Sequence, residues 1–381
     1  MTLAVPRDLT EAREGFRAWM AERADDLRAF KHPGHDVTEI FSNLRRLQRL
    51  LHDAGWIRLG WAEAVGGLGG PPILRSIISE ELALAGYPPP FSFATQEVLG
   101  PAVATFATVE LAGEVMPRLL RGDETWCQGF SEPGAGSDLA SLRLKAVAVD
   151  GGWRLSGEKV WTSWAQFADR CVLLARTGAP DSAHRGISAF LLDMDTPGVE
   201  VSPLRSITGD DEFCSLHFDD AFVPSERLLG EAGGGWAVTM HVLAGERGAA
   251  AWQRQVWLRS RLVDLAAAEC SGVGVSDAQL GESLELLMAL RLLSRRTVRA
   301  LSAGEPVGAT TSLDKLAMST AEKFLFDRSL EGLDGAVVFG VDADAAAWRN
   351  DYLYSRASSI YGGAAEVQRN IIAERLLGLP R

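Results

Sequence analysis

The sequence predicts an α+β protein built in three successive parts. A helical N-terminal domain (1–123) precedes a middle antiparallel β domain, a barrel or sandwich (124–232), and a C-terminal helical bundle follows (233–381). Three observations carry this reading. Apolar residues recur at three- and four-residue spacing before about residue 120 and again beyond residue 235. Between them, short runs alternate with period two around Asp150-Gly151-Gly152. The strands come as one block instead of alternating with helices, which argues against a βαβ dinucleotide fold.

The elements follow in order. Phe16, Trp19, Met20, Ala24, Leu27 and Phe30 mark one helical stripe within 7–58, and Leu44, Leu47, Leu51 and Ala54 repeat it. The glycine-rich stretch Gly60–Pro72 breaks the pattern. Helix is expected again over Ile73–Gly86, then the turn Tyr87-Pro88-Pro89-Pro90, then helix from Gln96 to Leu120. Two alternating runs around Asp150-Gly151-Gly152 predict a β-hairpin. Further strands are expected at 171–176, 187–194, 198–204 and 214–218. Gly233-Gly234-Gly235 marks the second boundary. Helices are expected over 236–269, 277–302, 312–333, 344–357 and 364–377.

Composition bounds the function. The 381 residues carry a net charge of -12, which argues against nucleic acid, because phosphate neutralisation needs clustered Lys and Arg. No apolar run is long enough to span a membrane. The segment Met1–Arg17 lacks the apolar core of a signal peptide, so a cytoplasmic protein is expected. Cys127, Cys171, Cys214 and Cys270 form no CxxC pair, and His32 and His35 have no second pair at ligand spacing. Neither a disulfide framework nor a metal site is expected. His217 and His241 read as surface residues.

Two stretches carry candidate chemistry. The first, WCQGFSEPGAGSDLASL (126–142), lacks the third glycine of a dinucleotide fingerprint. Ser131, Ser137 and the amides around Gly134–Gly136 can form a nest for a phosphate or a polar ring edge; an ordinary Pro-Gly turn is the alternative. The second, GEKVWTSW (157–164), places Trp161 and Ser163 two apart on a strand, hence on one face. An indole beside a hydroxyl suits a flat heteroaromatic ligand. Taken alone, Trp161 reads equally as core packing.

Together these stretches resemble the acyl-CoA dehydrogenases, which are FAD-dependent. The resemblance spans almost the whole chain through five ordered blocks: GWAEAVGGLGG, CQGFSEPGAGSDLASL, GEKVWTSWAQFAD, LAGERG and YGGAAEVQRNIIAERLLGLP. It implies that Gln128, Phe130, Ser131, Gly136, Ser137, Trp161 and Ser163 bind FAD. Trp161 would lie on the isoalloxazine, and the Ser163 hydroxyl would contact flavin N5. Ser137 would also meet the CoA arm. It implies α,β-desaturation of an acyl-CoA thioester, with the α-proton taken by a carboxylate and the β-hydride passed to flavin. Lipid or fatty-acid metabolism through β-oxidation is the implied setting.

Most members of that family carry the base in a Tyr-Glu-Gly block near the C-terminus. Here that block reads Tyr361-Gly362-Gly363. A branch similar to the isovaleryl and long-chain enzymes places its glutamate on the first helix of the C-terminal domain, before an arginine. Glu246-Arg247 in LAGERG matches that position. The resemblance therefore implies Glu246 as base, Gly362 as a backbone donor to the thioester carbonyl, and Arg247 and Tyr361 as substrate contacts. The small neighbours Gly245, Gly248 and Ala249 are read as leaving room for substrate. Read without the resemblance, Glu246-Arg247 is a solvated pair on a helix. Glu366, in the first turn of the last helix, is read as a FAD contact.

Homotetrameric relatives clamp FAD with an Arg-x-x-Phe segment and a Gly-Gly-x-Gly-Tyr segment of a neighbouring subunit. Residues 258–290 contain no Arg-x-x-Phe, and 334–340 read DGAVVFG. A homo-oligomer, dimer or tetramer, and an α2β2 pairing with a paralogue are both compatible. Electron-transfer flavoprotein is the implied acceptor. Two other functions stay open: a FAD-site-sharing partner subunit with little activity alone, and a flavin oxidase or monooxygenase on the same fold.

Overall fold

In the computed structural model, helices flank an eight-stranded sheet along the chain. The structure describes residues 3–32, 36–89, 91–269, 274–333 and 335–380. His35, Pro90, Cys270 and Asp334 lie outside the described residues. Two compact units emerge, Met1–Leu82 with Gly86–Gly245, and Ala83–Ala85 with Glu246–Arg381.

In the first unit, α1 (Leu9–Glu22) begins at Asp8, whose carboxylate accepts the N–H groups of Thr10 and Glu11 at 2.8 and 2.9 Å. It buries Ala12, Phe16 and Met20, four apart on one face. After α2 (Ala24–Arg28), α3 (Val37–Asp53) is capped in the same way by Asp36 and buries Phe41, Leu44, Leu47 and Leu51. α4 spans Ile73–Leu84. The single helix expected over 96–120 is instead three: α5 (Phe91–Val98), α6 (Gly100–Phe106) and α7 (Val109–Arg121). Pro101 lacks an N–H and is tolerated in a first turn, so a helix restarts there. Thr108 then accepts the Leu111 N–H and caps α7.

The strands are β1 (Trp126–Gly129), β2 (Lys145–Val149), β3 (Gly152–Ser163), β4 (Arg170–Arg176), β5 (Ile187–Asp193), β6 (Val199–Leu204), β7 (Phe213–Pro224) and β8 (Leu228–Leu229). They order as β6-β7-β3-β2-β4-β5-β8, with β1 added on β4. The β2–β3 hairpin is antiparallel as expected. The sheet is not wholly antiparallel, because β1 and β2 each run parallel to β4. A parallel pair needs a long crossover, and the whole β2–β3 hairpin lies between β1 and β4. β4 is buried along its length and serves both faces. Val172 and Leu174 join a cluster with Trp61, Met116 and Leu119 of the helical part. Cys171, Leu173 and Ala175 face Leu155, Leu216 and Phe218.

α8 (Gly235–Glu269) begins in the first unit and ends in the second, where α9 (Asp277–Ser302), α10 (Thr311–Gly332), α11 (Gly335–Phe339), α12 (Ala343–Ser355) and α13 (Ala365–Ile371) follow. All but the short α11, which was not expected, fall on expected helical segments. A π-helical turn, Ile372–Leu376, ends the last one. Ser276 and Gln279 form a reciprocal capping box on α9. Leu258, Leu262, Leu290, Met318, Leu325 and Phe326 fill the core. α10 also buries Asp314, Lys315 and Glu322. No helix among the described residues is long and apolar enough to cross a membrane.

Candidate functional site

In the first unit the candidate site is built around a bulge. Between Lys159 and Thr162, β3 carries one residue more than its partner β7, since Lys159 faces Leu216 and Thr162 faces Cys214. Trp161 takes up the irregularity with φ +62°, a left-handed conformation rare for an aromatic residue. Its indole is 62% exposed, with Phe213 edge-on at 5.9 Å. Core packing is therefore not its role. Ser163 is exposed as well.

The neighbouring loop is fixed to this bulge. The Val160 N–H donates to the Ser131 carbonyl at 2.9 Å. Lys159, fully buried, donates to Glu132 Oε1 at 2.8 Å and to the Phe130 carbonyl at 3.0 Å. Burial brings its pKa down to about 8 against the pull of Glu132. Glu132 in turn accepts the N–H groups of Arg143 and Leu144 at 2.6 and 2.9 Å. One buried ion pair thus closes both ends of the segment 130–144.

Several expectations on this segment change. The Phe130 side chain is 5% exposed and belongs to the core, so its ring is not presented as a ligand surface. The Ala135 N–H is bonded to the Glu132 carbonyl, which takes it out of any anion nest. Neither Gly134 nor Gly136 has positive φ, and a Cβ at either would meet only open space. Gly136 and Ser137 are exposed, while Ser131 and Gln128 are half-buried, the latter opposite Val172 in β1. An exposed indole, accessible hydroxyls and an unobstructed loop fit a flat heteroaromatic group with a polar extension. Because Trp161 is so exposed, Trp161→Ala is expected to leave the apoprotein's unfolding midpoint unchanged and to lower flavin occupancy. Visible absorbance relative to protein checks this, and a fully loaded variant would count against a stacking role.

In the second unit, the carboxylate of Glu246 on α8 turns inward. The residue as a whole is half-buried, but Oε2 is sealed from solvent and has no hydrogen-bond partner. Burial raises its pKa above the ordinary value, opposed by Lys315 and Arg247. The solvated-pair reading therefore does not hold. A Cβ built at Gly362 would lie 2.7 Å from Glu246 Oε1, so this carboxylate occupies space that a side chain at 362 would need. Gly362 also has φ +63°, which suits glycine. Arg247 Nε donates to the Gly362 carbonyl at 3.2 Å, binding the turn instead of standing open.

The space attributed to the small neighbours is otherwise used. A Cβ at Gly248 would meet Thr297 Cγ2 at 2.9 Å, and within the first unit one at Gly245 would meet the Glu97 carbonyl at 3.0 Å. Both glycines permit close helix packing and open no cavity. Tyr361 is half-buried, its ring 4.0 Å from Lys315 Nζ. Glu366 has an exposed side chain that pairs with Arg369 at 3.5 Å. In the first unit His241 is half-buried, edge-on to Phe106, and not on the surface as expected. Among the described residues no group could hold a metal ion.

Sequence reasoning missed Lys159 and Lys315, both buried ammonium groups, and Gln368, whose fully buried amide has no partner and sits against Gly363. A lysine between polar neighbours carries no periodic signal of burial.

Three family models match in sequence order: the acyl-CoA dehydrogenase N-terminal domain (7–123), middle domain (127–221) and C-terminal domain (233–377). Acyl-CoA dehydrogenase IpdE1 of Mycobacterium tuberculosis is 35% identical over 98% of this chain and 99% of its own length. Acyl-CoA dehydrogenase FadE34 of the same organism is 39% identical over 88% of this chain and 46% of its own. Among solved structures, the Tcur3481-Tcur3483 steroid ACAD superposes with a TM-score of 0.83 at 28% identity, covering all of both chains. The ChsE4-ChsE5 complex from Mycobacterium tuberculosis gives 0.80 at 26%, again over both whole chains. With all three domain models in order and a relative aligned end to end, this chain belongs to the acyl-CoA dehydrogenase family of FAD-dependent oxidoreductases.

Proposed function

We propose that the protein desaturates an acyl-CoA thioester at its α,β bond, with Glu246 as the base that takes the α-proton. The observation that carries this reading is the Glu246 carboxylate held in the space beside Gly362, with Oε2 sealed and unpartnered. A weakly acidic α-proton needs a carboxylate whose proton affinity is raised toward neutrality, and burial supplies that. The Gly362 N–H is assigned to the thioester carbonyl, where a fixed donor stabilises the developing enolate oxygen. Arg247 keeps that glycine in place through its carbonyl. Trp161, Ser163, Ser131 and Ser137 are assigned to the flavin, and Gly136 to its close approach. FAD, when bound, supplies the acceptor for the β-hydride.

For the substrate we favour a polycyclic, steroid-derived acyl thioester, because a steroid ACAD aligns with the whole chain. For the assembly we favour pairing with a paralogous chain. One solved relative is the ChsE4-ChsE5 complex, another carries the joined name Tcur3481-Tcur3483, and Arg-x-x-Phe is missing from 258–290. Electron-transfer flavoprotein is the proposed reoxidant.

The test is a spectral screen of the flavin-loaded protein without oxygen, against acyl-CoAs of varied length, branching and ring content. Bleaching of the flavin, together with the 2,3-enoyl product, is expected for at least one thioester, strongest for a ring-bearing one. A loaded protein that bleaches with none of them overturns the reading. Peroxide formed in air without an acceptor protein would point to an oxidase instead. A chain that holds flavin only when co-produced with a paralogue would locate the cofactor at a mixed interface.

A further inference from the structure

Lys315 is a buried charge that the proposed chemistry leaves unused. It lies on α10, 2% exposed. Its Nζ donates to the Ser358 carbonyl at 2.8 Å, in the turn that follows α12. The same nitrogen stands 4.0 Å from the centre of the Tyr361 ring. A Cβ at Gly362 would lie 3.6 Å from this ammonium and 2.7 Å from Glu246 Oε1. Lysine and glutamate therefore converge on one point, the turn that carries the assigned carbonyl donor.

The other charges nearby are already engaged. Arg254 on α8 pairs through two nitrogens with Glu322 on α10, at 2.9 and 2.5 Å, and stacks on Trp257. Arg247 on α8 is directed at the Gly362 carbonyl. Tyr361 offers a ring face, which attracts a cation without neutralising it. Glu322 is the remaining acid felt by Lys315, and Arg254 compensates it.

We infer that Lys315 is the positioning residue of the base: riveted to Ser358 beneath Tyr361, its ammonium holds the Tyr361–Gly362 turn beside Glu246 and keeps that buried carboxylate ionised. The inference rests on the assignment of Glu246 as base. A burial-shifted lysine agrees with it, since the pKa of Lys315 comes down to about 8, leaving most of it charged at neutral pH.

The experiment compares the wild-type holoprotein with Lys315→Gln, Lys315→Arg and Glu246→Gln. Glutamine keeps a donor for the Ser358 carbonyl but removes the charge; arginine keeps the charge. Two quantities are read across pH: kcat/KM, and release of deuterium from an α-dideuterated acyl-CoA, which reports proton removal apart from hydride transfer. In Lys315→Gln the acid limb of both profiles is expected to move up by about one pH unit. Below the limb this is a loss of about tenfold; on the high-pH plateau the loss is less than about threefold. Lys315→Arg should keep the limb within about 0.3 unit of wild type. A lysine that only braces the fold would lower the plateau or the unfolding midpoint and leave the limb in place.

If Glu246→Gln abolishes deuterium release while Lys315→Gln leaves the limb unmoved, the inference about Lys315 fails and the base assignment survives. If Glu246→Gln still releases deuterium, the base assignment fails and takes the inference with it. Should the glutamine variant of Lys315 not fold, the arginine variant still decides, because a limb displaced upward by a full unit in Lys315→Arg overturns the inference.

Discussion

Glu246→Gln is expected to give a folded, yellow protein that turns over its thioester about 10²–10⁴-fold more slowly, the usual contribution of a positioned general base. The substitution keeps size and shape and removes the group that accepts the proton. The introduced amide cannot clash with the turn at Gly362 more than the native carboxylate does, because the two side chains differ by one terminal atom. Glu246 is not among the residues assigned to the flavin, so cofactor content should not change. Steady-state rates on the best thioester from the spectral screen, with flavin content measured beside them, check this. A variant within about threefold of wild type would remove Glu246 from the base role and return the question to the other carboxylates.

The same carboxylate sets the expected pH dependence. A base works when ionised, so kcat/KM falls as pH drops through its pKa. Burial raises that pKa, and Lys315 and Arg247 oppose the rise, so the acid limb should lie above the ordinary carboxylate range. For stability the sign is opposite to that of a salt-bridged acid. With its folded pKa raised, this group favours the native state below the ordinary carboxylate pKa, and that contribution is lost as pH rises through the folded value.

Much of this protein was legible in its sequence, for reasons that particular residues make plain. Stripes such as Phe16–Met20 and Leu44–Leu51 set helices because burial on one face follows the 3.6-residue period. Asp150-Gly151-Gly152 set the hairpin because its turn needs a positive φ, and Gly151 has φ +76°. The breaks that make three helices of 91–121 were harder to see, since apolar spacing continues across them and one proline and one threonine cap decide the outcome. The parallel pairing of β1 with β4 was invisible, because strand direction is a long-range choice that local alternation does not encode. At the site, strand spacing singled out Trp161 beside Ser163, and family resemblance gave Trp161 and Glu246 their roles. The bulge that exposes one and the burial that sharpens the other came from structure. Gly245 and Gly248 show the reverse error, for a small residue looks the same in sequence whether it opens a pocket or admits a neighbouring backbone.

Lys159→Met is expected to cost about 3–5 kcal/mol of stability, because it breaks a buried pair and leaves a charge without its partner. The geometry makes Glu132 the casualty. It is 8% exposed and would keep only the two N–H donors of Arg143 and Leu144. The Phe130 carbonyl would lose its donor as well. Urea unfolding of the apoprotein should show a lower midpoint with the same slope, as for a change in stability without a change in the surface exposed. The double variant Lys159→Met with Glu132→Gln should recover part of the loss, since the uncompensated charge is gone. The recovery stays incomplete, because one amide oxygen replaces a carboxylate that serves two backbone donors. If the single variant unfolds at the wild-type urea concentration, the pair is a bystander. If it is destabilised, its flavin content distinguishes two roles for the segment 130–144. Loss of flavin at temperatures where the protein is still folded would mean that the ion pair shapes the loop for its ligand. Retention of flavin until global unfolding would confine the pair to stability. Trp161→Ala supplies the contrast, an exposed residue whose removal should empty the site without touching the fold.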